Sequence, residues 1–244
     1  MSFLYPLAEF GYLLWRVLGS LKYAWKDRKR VLYQLDHVGV NSIPLVGLIG
    51  MFAGAIIAWQ AAYQFQGMVS LSVLGGQILR VVMMEMAPVL TALVMAGRIG
   101  ASMTAELGAM KLSEQIDALT TMAIDPVRYL VMPRFLGLTL MMPLLTFFSV
   151  VIAFIGAIAV CGIFLEITPQ TFLHSVRDFF ALEDLLGGIL KGGLFGIFIS
   201  LIGCFKGIDA KYGAKGLGNA TISSFVTASI CILTGDFLLW IILF

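Results

Sequence analysis

Charged residues are scarce in this 244-residue chain. Lysine, arginine, aspartate and glutamate make up 12% of it, about half of the roughly 25% found in a typical soluble domain. Hydrophobic residues make up 60%, and the mean hydropathy is +0.97. A soluble globule of this composition could not cover its surface with polar groups, and a disordered chain would need low hydrophobicity. The composition therefore predicts an integral membrane protein.

Cysteine and histidine are also rare, with three and two residues. Cys161, Cys204 and Cys231 lie in apolar runs without the spacing of a redox or metal motif, which favours a packing role. The net charge of +2 does not provide the excess of basic residues that is typical of a nucleic-acid-binding protein. We therefore expect neither a metal site nor a nucleic-acid partner.

Long uncharged runs predict five membrane-spanning helices, and hence an all-α fold. The run from Val38 to Leu79 is long enough for two spans if its polar middle forms a short outer loop. The third span exceeds the hydrocarbon thickness, so we expect tilt or a break near Pro143. The predicted spans are residues 39–62, 75–98, 135–165, 186–205 and 219–243.

The first residues show an apolar stripe at spacings of three and four, which indicates an amphipathic helix. Neighbouring tyrosines and tryptophans favour a position in the membrane interface, although a soluble extension is the alternative. We therefore divide the chain into an interfacial helix at 1–36 and a five-span membrane domain at 37–244. The stripe comprises Leu7, Phe10, Leu14, Leu18, Leu21 and Trp25.

Basic residues are distributed unevenly between the predicted loops. Thirteen of the sixteen fall in the N-terminal segment and in loops 98–134 and 206–218. The opposite side holds at most Arg80, Arg177 and Lys191. This bias predicts a cytoplasmic N-terminus and an external C-terminus. An odd span number disfavours paired inverted repeats, and five spans enclose so little volume that a homodimer is favoured.

The loop between spans two and three contains a short amphipathic segment. We expect Ser113 to cap a helix that ends at Asp125-Pro126. Such a helix suits docking into a groove on a soluble partner, but an ordinary interfacial helix fits equally well. Its apolar stripe comprises Leu112, Ile116, Leu119 and Ala123.

The run from Gly97 to Leu119 resembles the signature of the MlaE-type permeases, the membrane subunits of lipid-transporting ABC systems that work with MCE-domain proteins. The resemblance extends from about residue 35 to the end of the chain. Further matching segments are Glu85–Leu93, Asp125-Pro126, Pro133–Phe135, Gly213–Thr221 and Asp236-Phe237.

The resemblance implies a permease dimer with a cytoplasmic ABC ATPase, a periplasmic MCE-domain protein and a small STAS-type regulatory subunit. It also implies phospholipid movement between a bacterial inner membrane and the MCE assembly. The chain has no GxxxxGK[ST] loop, so we expect it to hold no catalytic residue or cofactor and the partner ATPase to bind ATP and Mg. The helix between spans two and three would be the coupling helix to that ATPase. The predicted coupling residues are Glu106, Glu114, Gln115, Asp117 and Leu119.

Glu85 is the intramembrane charge that stands out, because an ionisable residue inside a span is costly and by default a functional candidate. Relatives commonly carry Arg-Glu where this chain has Met84-Glu85, which removes a salt-bridge partner and leaves Arg80 as a substitute. Glu85 could also be a purely structural residue within packed helices. The predicted lipid-pocket residues are Glu85, Met84, Met86, Ile57, Phe65 and Met68.

The alternative function is an ion-coupled secondary transporter of a hydrophobic substrate. Such a transporter would need several intramembrane carboxylates, and the sequence offers Glu85 and Asp236. For Asp236 a hydrogen bond between helices is the favoured interpretation. The methionines could likewise form an ordinary membrane core instead of a flexible wall for acyl chains.

Overall fold

The computed structural model describes residues 4–64, 74–165, 167–210 and 213–243. These ranges are predominantly α-helical, with short 3₁₀ and π turns and brief connecting segments, and they contain no strand. The predicted all-α class is therefore confirmed. Phe65 and Met68, two of the predicted pocket residues, lie outside the described residues.

The N-terminal segment contains two helices instead of the single one expected. Helix α1 spans Leu4–Ser20, a 3₁₀ turn follows at Leu21–Tyr23, and helix α2 spans Arg28–Val38. The buried apolar side chains of α1 include Leu13 and Val17. Of the predicted stripe, Phe10, Leu14 and Leu21 pack against the core, whereas Leu18 and Trp25 are exposed.

Within the part of the chain that the structure describes, five helical segments are long and apolar enough to cross a membrane, which confirms the predicted number of spans. The first segment joins α2 through a 3₁₀ turn at Val40–Ser42 to helix α3, Ile43–Gln64. The five segments are Arg28–Gln64, Gly75–Leu112, Val127–Phe164, Leu182–Ile208 and Ala214–Ile242.

The second span is longer than predicted. It continues past the expected end at residue 98 to Leu112, so Glu106 and Lys111 lie on a helix and not in a loop. Two π-helical turns interrupt its regular helix, a feature that is frequent at functional sites. In order, the elements are α4 (Leu74–Val81), a π turn (Val82–Met86), α5 (Ala87–Met95), a π turn (Ala96–Gly100) and α6 (Ala101–Leu112).

Helix α7 and the last three spans complete the described fold. Helix α8 follows a π turn at Val127–Val131 and continues through Pro143 without a break, so its 33 residues extend about 50 Å. The predicted polar loop at 166–184 contains helix α9. The remaining bounds are α7 Gln115–Thr121, α8 Met132–Phe164, α9 Pro169–Phe179, α10 Leu182–Ile208 and α11 Ala214–Leu243.

The chain divides into two compact units, each assembled from three stretches of sequence. The first unit has a buried core that includes Leu107, Val131 and Leu201. The second has a core that includes Met83 and Ala153. The first unit consists of 1–41, 92–142 and 193–237, and the second of 42–91, 143–192 and 238–244.

In the second unit, α3 and α8 approach each other backbone to backbone. A methyl group at Gly54 would overlap the Ala153 carbonyl, and one at Gly156 would overlap the Met51 carbonyl. Small residues allow this approach between membrane helices, where van der Waals packing replaces the hydrophobic effect as the main attraction. The glycines therefore set the spacing of these two helices.

Candidate functional site

Within the second unit, α10 lies directly against the π turn of the second span. A side chain at Gly188 would overlap the backbone carbonyl of Met83, so only glycine permits this approach. The close packing of the fourth span at this point therefore depends on a glycine. One turn beyond Gly188, the close approach brings Lys191 to the π turn.

Lys191 and Glu85 form an ion pair at this contact. The Lys191 Nζ donates to the Glu85 Oε1 at 2.8 Å and to the backbone carbonyl of Met84 at 3.2 Å. Lys191 is fully buried, whereas the Glu85 side chain is 29% exposed. The expected substitute partner, Arg80, is therefore not the partner of Glu85 in this pair.

Arg80 pairs instead with Asp184, at 3.1 Å between Nε and Oδ2. Asp184 is buried and Arg80 is largely exposed. Residue numbers rise together in the contacts Arg80–Asp184 and Glu85–Lys191, so α10 and the second span run in the same direction here. Each helix supplies one cation and one anion, which leaves the two pairs with no net charge.

The ion pair compensates the charge of the buried Lys191. An ammonium group away from water is costly unless it is paired and hydrogen-bonded. Glu85 supplies the opposite charge, and the Met84 carbonyl supplies a second acceptor at the π turn. The exposed part of Glu85 leaves this polar centre open on one side.

The other predicted pocket residues differ in their exposure. Met84 is buried, and Met86 is 38% exposed beside Glu85 in the sequence. Ile57 is half-buried and packs against the cluster that contains Met83 and Ala87. The structure therefore brings Ile57 to the core beside the π turn and leaves Met86 on the surface of this unit.

Lys191 was missed as a site residue because its charge was counted among the residues of the outer side. Its position inside the predicted span 186–205 was the available signal, since an intramembrane charge is a functional candidate with an expected partner of opposite sign. What the sequence did not contain was the register that selects Glu85 as that partner.

The predicted coupling segment belongs to the first unit, where α7 is held between two left-handed residues. Glu114 and Ala123 have positive φ angles of 58° and 56° on either side of the helix. Lys111 on α6 donates to Asp117 on α7 at 3.0 Å. These features fix α7 as a short element set off from its neighbours.

Both predicted ends of this helix are wrong. The Ser113 hydroxyl donates to the Ala109 carbonyl, so Ser113 closes α6 instead of capping α7. Asp125 accepts from the backbone N–H of Val127 at 3.1 Å and so caps the start of the next helix. Short polar side chains can cap either neighbour, and the tertiary packing decides which.

The apolar stripe of α7 faces the protein itself. Ile116 is buried and Leu119 is half-buried in the core of the first unit. The exposed residues include Glu114, Gln115 and Asp117, together with Met122, whose exposure is 69%. The apolar side therefore anchors the helix, and its polar side remains accessible.

Glu106, the fifth predicted coupling residue, lies on α6 in an ion pair with Arg134. The Arg134 Nη2 donates to one carboxylate oxygen at 2.9 Å, and the Ser102 hydroxyl donates to the other at 3.1 Å. Arg134 is buried and Glu106 is partly exposed. This geometry gives Glu106 a role in holding α6 to α8.

Comparison with known proteins identifies the family. The family model Permease MlaE matches residues 31–242. The chain belongs to the MlaE permease family. It is 36% identical over 213 residues to a probable ABC transporter permease protein of Synechocystis sp., covering 87% of this chain and 81% of the relative. A protein of the same description in Rickettsia typhi is 37% identical over 215 residues, covering 88% and 83%.

A further probable ABC transporter permease protein, from Pyropia yezoensis, is 34% identical over 227 residues and covers 93% of this chain and 86% of the relative. This MlaE permease is therefore an ABC transporter permease subunit with several membrane spans. The family implies a separate ATPase partner. Among the residues that the structure describes, no group of three or more histidine, cysteine, aspartate or glutamate side chains could hold a metal ion.

Proposed function

We propose that this permease moves phospholipid between a bacterial inner membrane and a periplasmic MCE-protein assembly. It works as a homodimer driven by a cytoplasmic ABC ATPase, with a small STAS-type regulatory subunit in the complex. The observation that carries the proposal is the Lys191–Glu85 pair, a polar centre within apolar helices.

A phospholipid has a charged head group and long acyl chains, and both parts need complementary surroundings. The partly exposed Glu85 carboxylate offers a hydrogen-bond acceptor to an amine or hydroxyl of a head group. Met86 and Ile57 supply flexible and branched apolar surface nearby in the same unit. Methionine adapts to irregular apolar shapes, which suits acyl chains of varied length.

The exposed side of α7 supports coupling to the ATPase. Gln115 and Asp117 present polar groups, and Met122 presents apolar surface beside them. Because Ile116 anchors the helix to the core, a push on α7 from the ATPase would be transmitted into the first unit instead of bending a free loop. ATP and Mg belong to the ATPase in this proposal, and this chain supplies no catalytic group.

The orientation in this proposal follows from the basic residues, thirteen of which lie in predicted loops of one side. That side, with the N-terminus and α7, faces the cytoplasm and the ATPase. The C-terminus and α9 then belong to the periplasmic side, where the MCE assembly would receive or deliver lipid.

Photo-crosslinking of lipid to the purified complex tests the proposal. A photoreactive amino acid replaces Met86 beside Glu85, or Met51 on α3 as a control of similar exposure. We expect phospholipid on the Met86 variant to change in amount when ATP is added, and lipid on the Met51 variant to stay constant. Equal, ATP-independent labelling of both positions would contradict a transport pocket at Glu85.

The ion-coupled alternative predicts a different energy source. In vesicles that contain the permease and its ATPase, we expect lipid movement to stop when ATP is withheld and to continue when the proton and sodium gradients are collapsed. Gradient-driven movement without ATP would favour the secondary transporter. The Lys191–Glu85 pair weighs against that alternative, because it neutralises a carboxylate that an ion site would use.

A further inference from the structure

A basic cavity lies beside α2 in the first unit and is lined by none of the residues of the proposed transport pocket. Its volume is about 280 Å³, and its walls come from α2, the π turn Val127–Val131 and the start of α8. Lys29, Arg30 and Arg134 line it, and no carboxylate does. The cavity therefore offers three cations to a ligand.

The anions that pair with these cations are outside the lining. Asp27 accepts from Arg30 at 3.2 Å and is shared with Arg128 at 2.9 Å, so its charge is divided between two guanidinium groups. Lys29 is exposed at the cavity. The local balance consequently favours a ligand with negative charge.

The hydrogen bonds of Arg134 indicate independently that an acceptor is missing near this side chain. Its exposure is 7%, and its two terminal nitrogens donate to the Leu130 carbonyl and to Glu106. Its Nε is buried and has no hydrogen-bond partner among the described residues. A buried donor without a partner is costly, and an anion in the adjoining cavity is a means of satisfying it.

The cavity is also shaped in advance. The Arg30 guanidinium lies 3.6 Å from the centre of the Tyr129 ring, a cation–π contact that holds its position. Tyr33 and Pro133 add apolar wall. The combination of fixed cations and apolar walls fits a phosphate attached to a glycerol backbone better than a fully hydrated ion.

Aromatic residues place this region at the membrane surface. Trp25 before α2, and Leu32 and Tyr33 on it, are exposed large hydrophobic side chains. Tryptophan and tyrosine favour the level of the lipid head groups, and basic pockets between helices on the cytoplasmic side bind anionic head groups. The occupant that matches this depth is a membrane lipid.

We propose that this cavity binds the phosphate head group of an anionic phospholipid, held as a resident ligand and distinct from the transported lipid. The Lys29 ammonium donates to the phosphate oxygens, and the buried Arg134 side chain, whose Nε lacks an acceptor, adds positive charge to the cavity wall. Leu130 lines the cavity and also packs in the core that contains Ile116 and Leu119 of α7. The bound lipid thereby stabilises the core against which the coupling helix α7 packs.

Native mass spectrometry of the full-length protein in detergent tests this site with phosphatidylglycerol and phosphatidylcholine as probes. We expect the wild type to prefer phosphatidylglycerol, and Lys29→Ala to weaken its binding about fivefold, the effect of one basic residue near an anionic lipid. Lys26→Ala is the matched control, since Lys26 is an exposed lysine in the turn before α2 that does not line the cavity. That control should change binding less than twofold.

Three results would overturn the proposal. Equal losses in the Lys26 and Lys29 variants would show diffuse surface attraction, and equal binding of the two lipids would show that head-group charge is not recognised. Displacement of phosphatidylglycerol by millimolar inorganic phosphate would assign the cavity to free phosphate. Lys29 is exposed, so its variant should elute and melt like the wild type, which makes a binding loss specific to the site.

Discussion

Lys191 and Glu85 form a 2.8 Å ion pair between α10 and the π turn of the second span, and the lysine is completely buried. The pair depends on Gly188, which brings the two backbones into contact. The pair compensates the charge of the buried lysine and leaves the Glu85 side chain 29% exposed. Its contribution to stability and the proposed role of Glu85 in lipid binding are separable by mutation.

Lys191→Ala and Glu85→Ala each remove one partner of this pair. We expect Glu85→Ala to lower the free energy of unfolding by about 3–5 kcal/mol, because it leaves the buried ammonium uncompensated. The double variant Glu85→Ala/Lys191→Met should recover much of that loss, since it removes both charges and keeps apolar volume. Thermal unfolding in detergent measures both effects, and equal losses in the single and double variants would contradict the pairing.

Gly188→Ala tests the backbone contact that positions the pair. The added methyl group would overlap the Met83 carbonyl, and overpacking of this kind costs about 1–3 kcal/mol. Gly11→Ala on α1 is the control, because a methyl group there meets no atom within 4 Å. The free energy of unfolding of this control variant should rise slightly, because alanine has a higher helix propensity than glycine. Melting temperatures that fall equally in both variants would argue against a specific contact.

Met122→Arg tests coupling without disturbing the fold. Met122 is exposed at the end of α7, so we expect a change in stability within about 0.5 kcal/mol together with loss of ATPase in co-purification. Ile116→Ala should instead lower the free energy of unfolding by about 2–5 kcal/mol, because it opens a cavity in the core. Leu119→Arg would mix the two effects, since Leu119 is half-buried. Full retention of the ATPase by Met122→Arg would place the docking surface elsewhere.

Lys111→Ala examines the ion pair between α6 and α7. Lys111 and Asp117 are substantially exposed, and exposed pairs contribute little because water screens them. We expect the free energy of unfolding to fall by less than about 0.5 kcal/mol. A loss as large as that of Glu85→Ala in the same melting experiment would mean that this pair is buried in the working complex, for example beneath the ATPase.

The long uncharged runs predicted the number of spans correctly, and the motif from Gly97 to Leu119 indicated the family. The ends of the helices were harder to predict from the sequence. Ser113 and Asp125 are residues that cap helices, but a capping side chain can serve the helix before or after it, as both do here. The same holds for the second span, which continues through charged residues to Leu112 because Glu106 finds a partner in Arg134.

The sequence by itself determined that this chain is a helical membrane protein, because scarce charge and long apolar runs leave no other stable arrangement. It also contained the two charges of the central ion pair, Glu85 and Lys191, each inside a predicted span. Only the tertiary structure decided that they meet, since a pairing 106 residues apart depends on which helix faces come together. Tertiary packing likewise decided that the apolar side of α7 faces the core. Burying Ile116 there is more favourable in free energy than leaving it exposed to water.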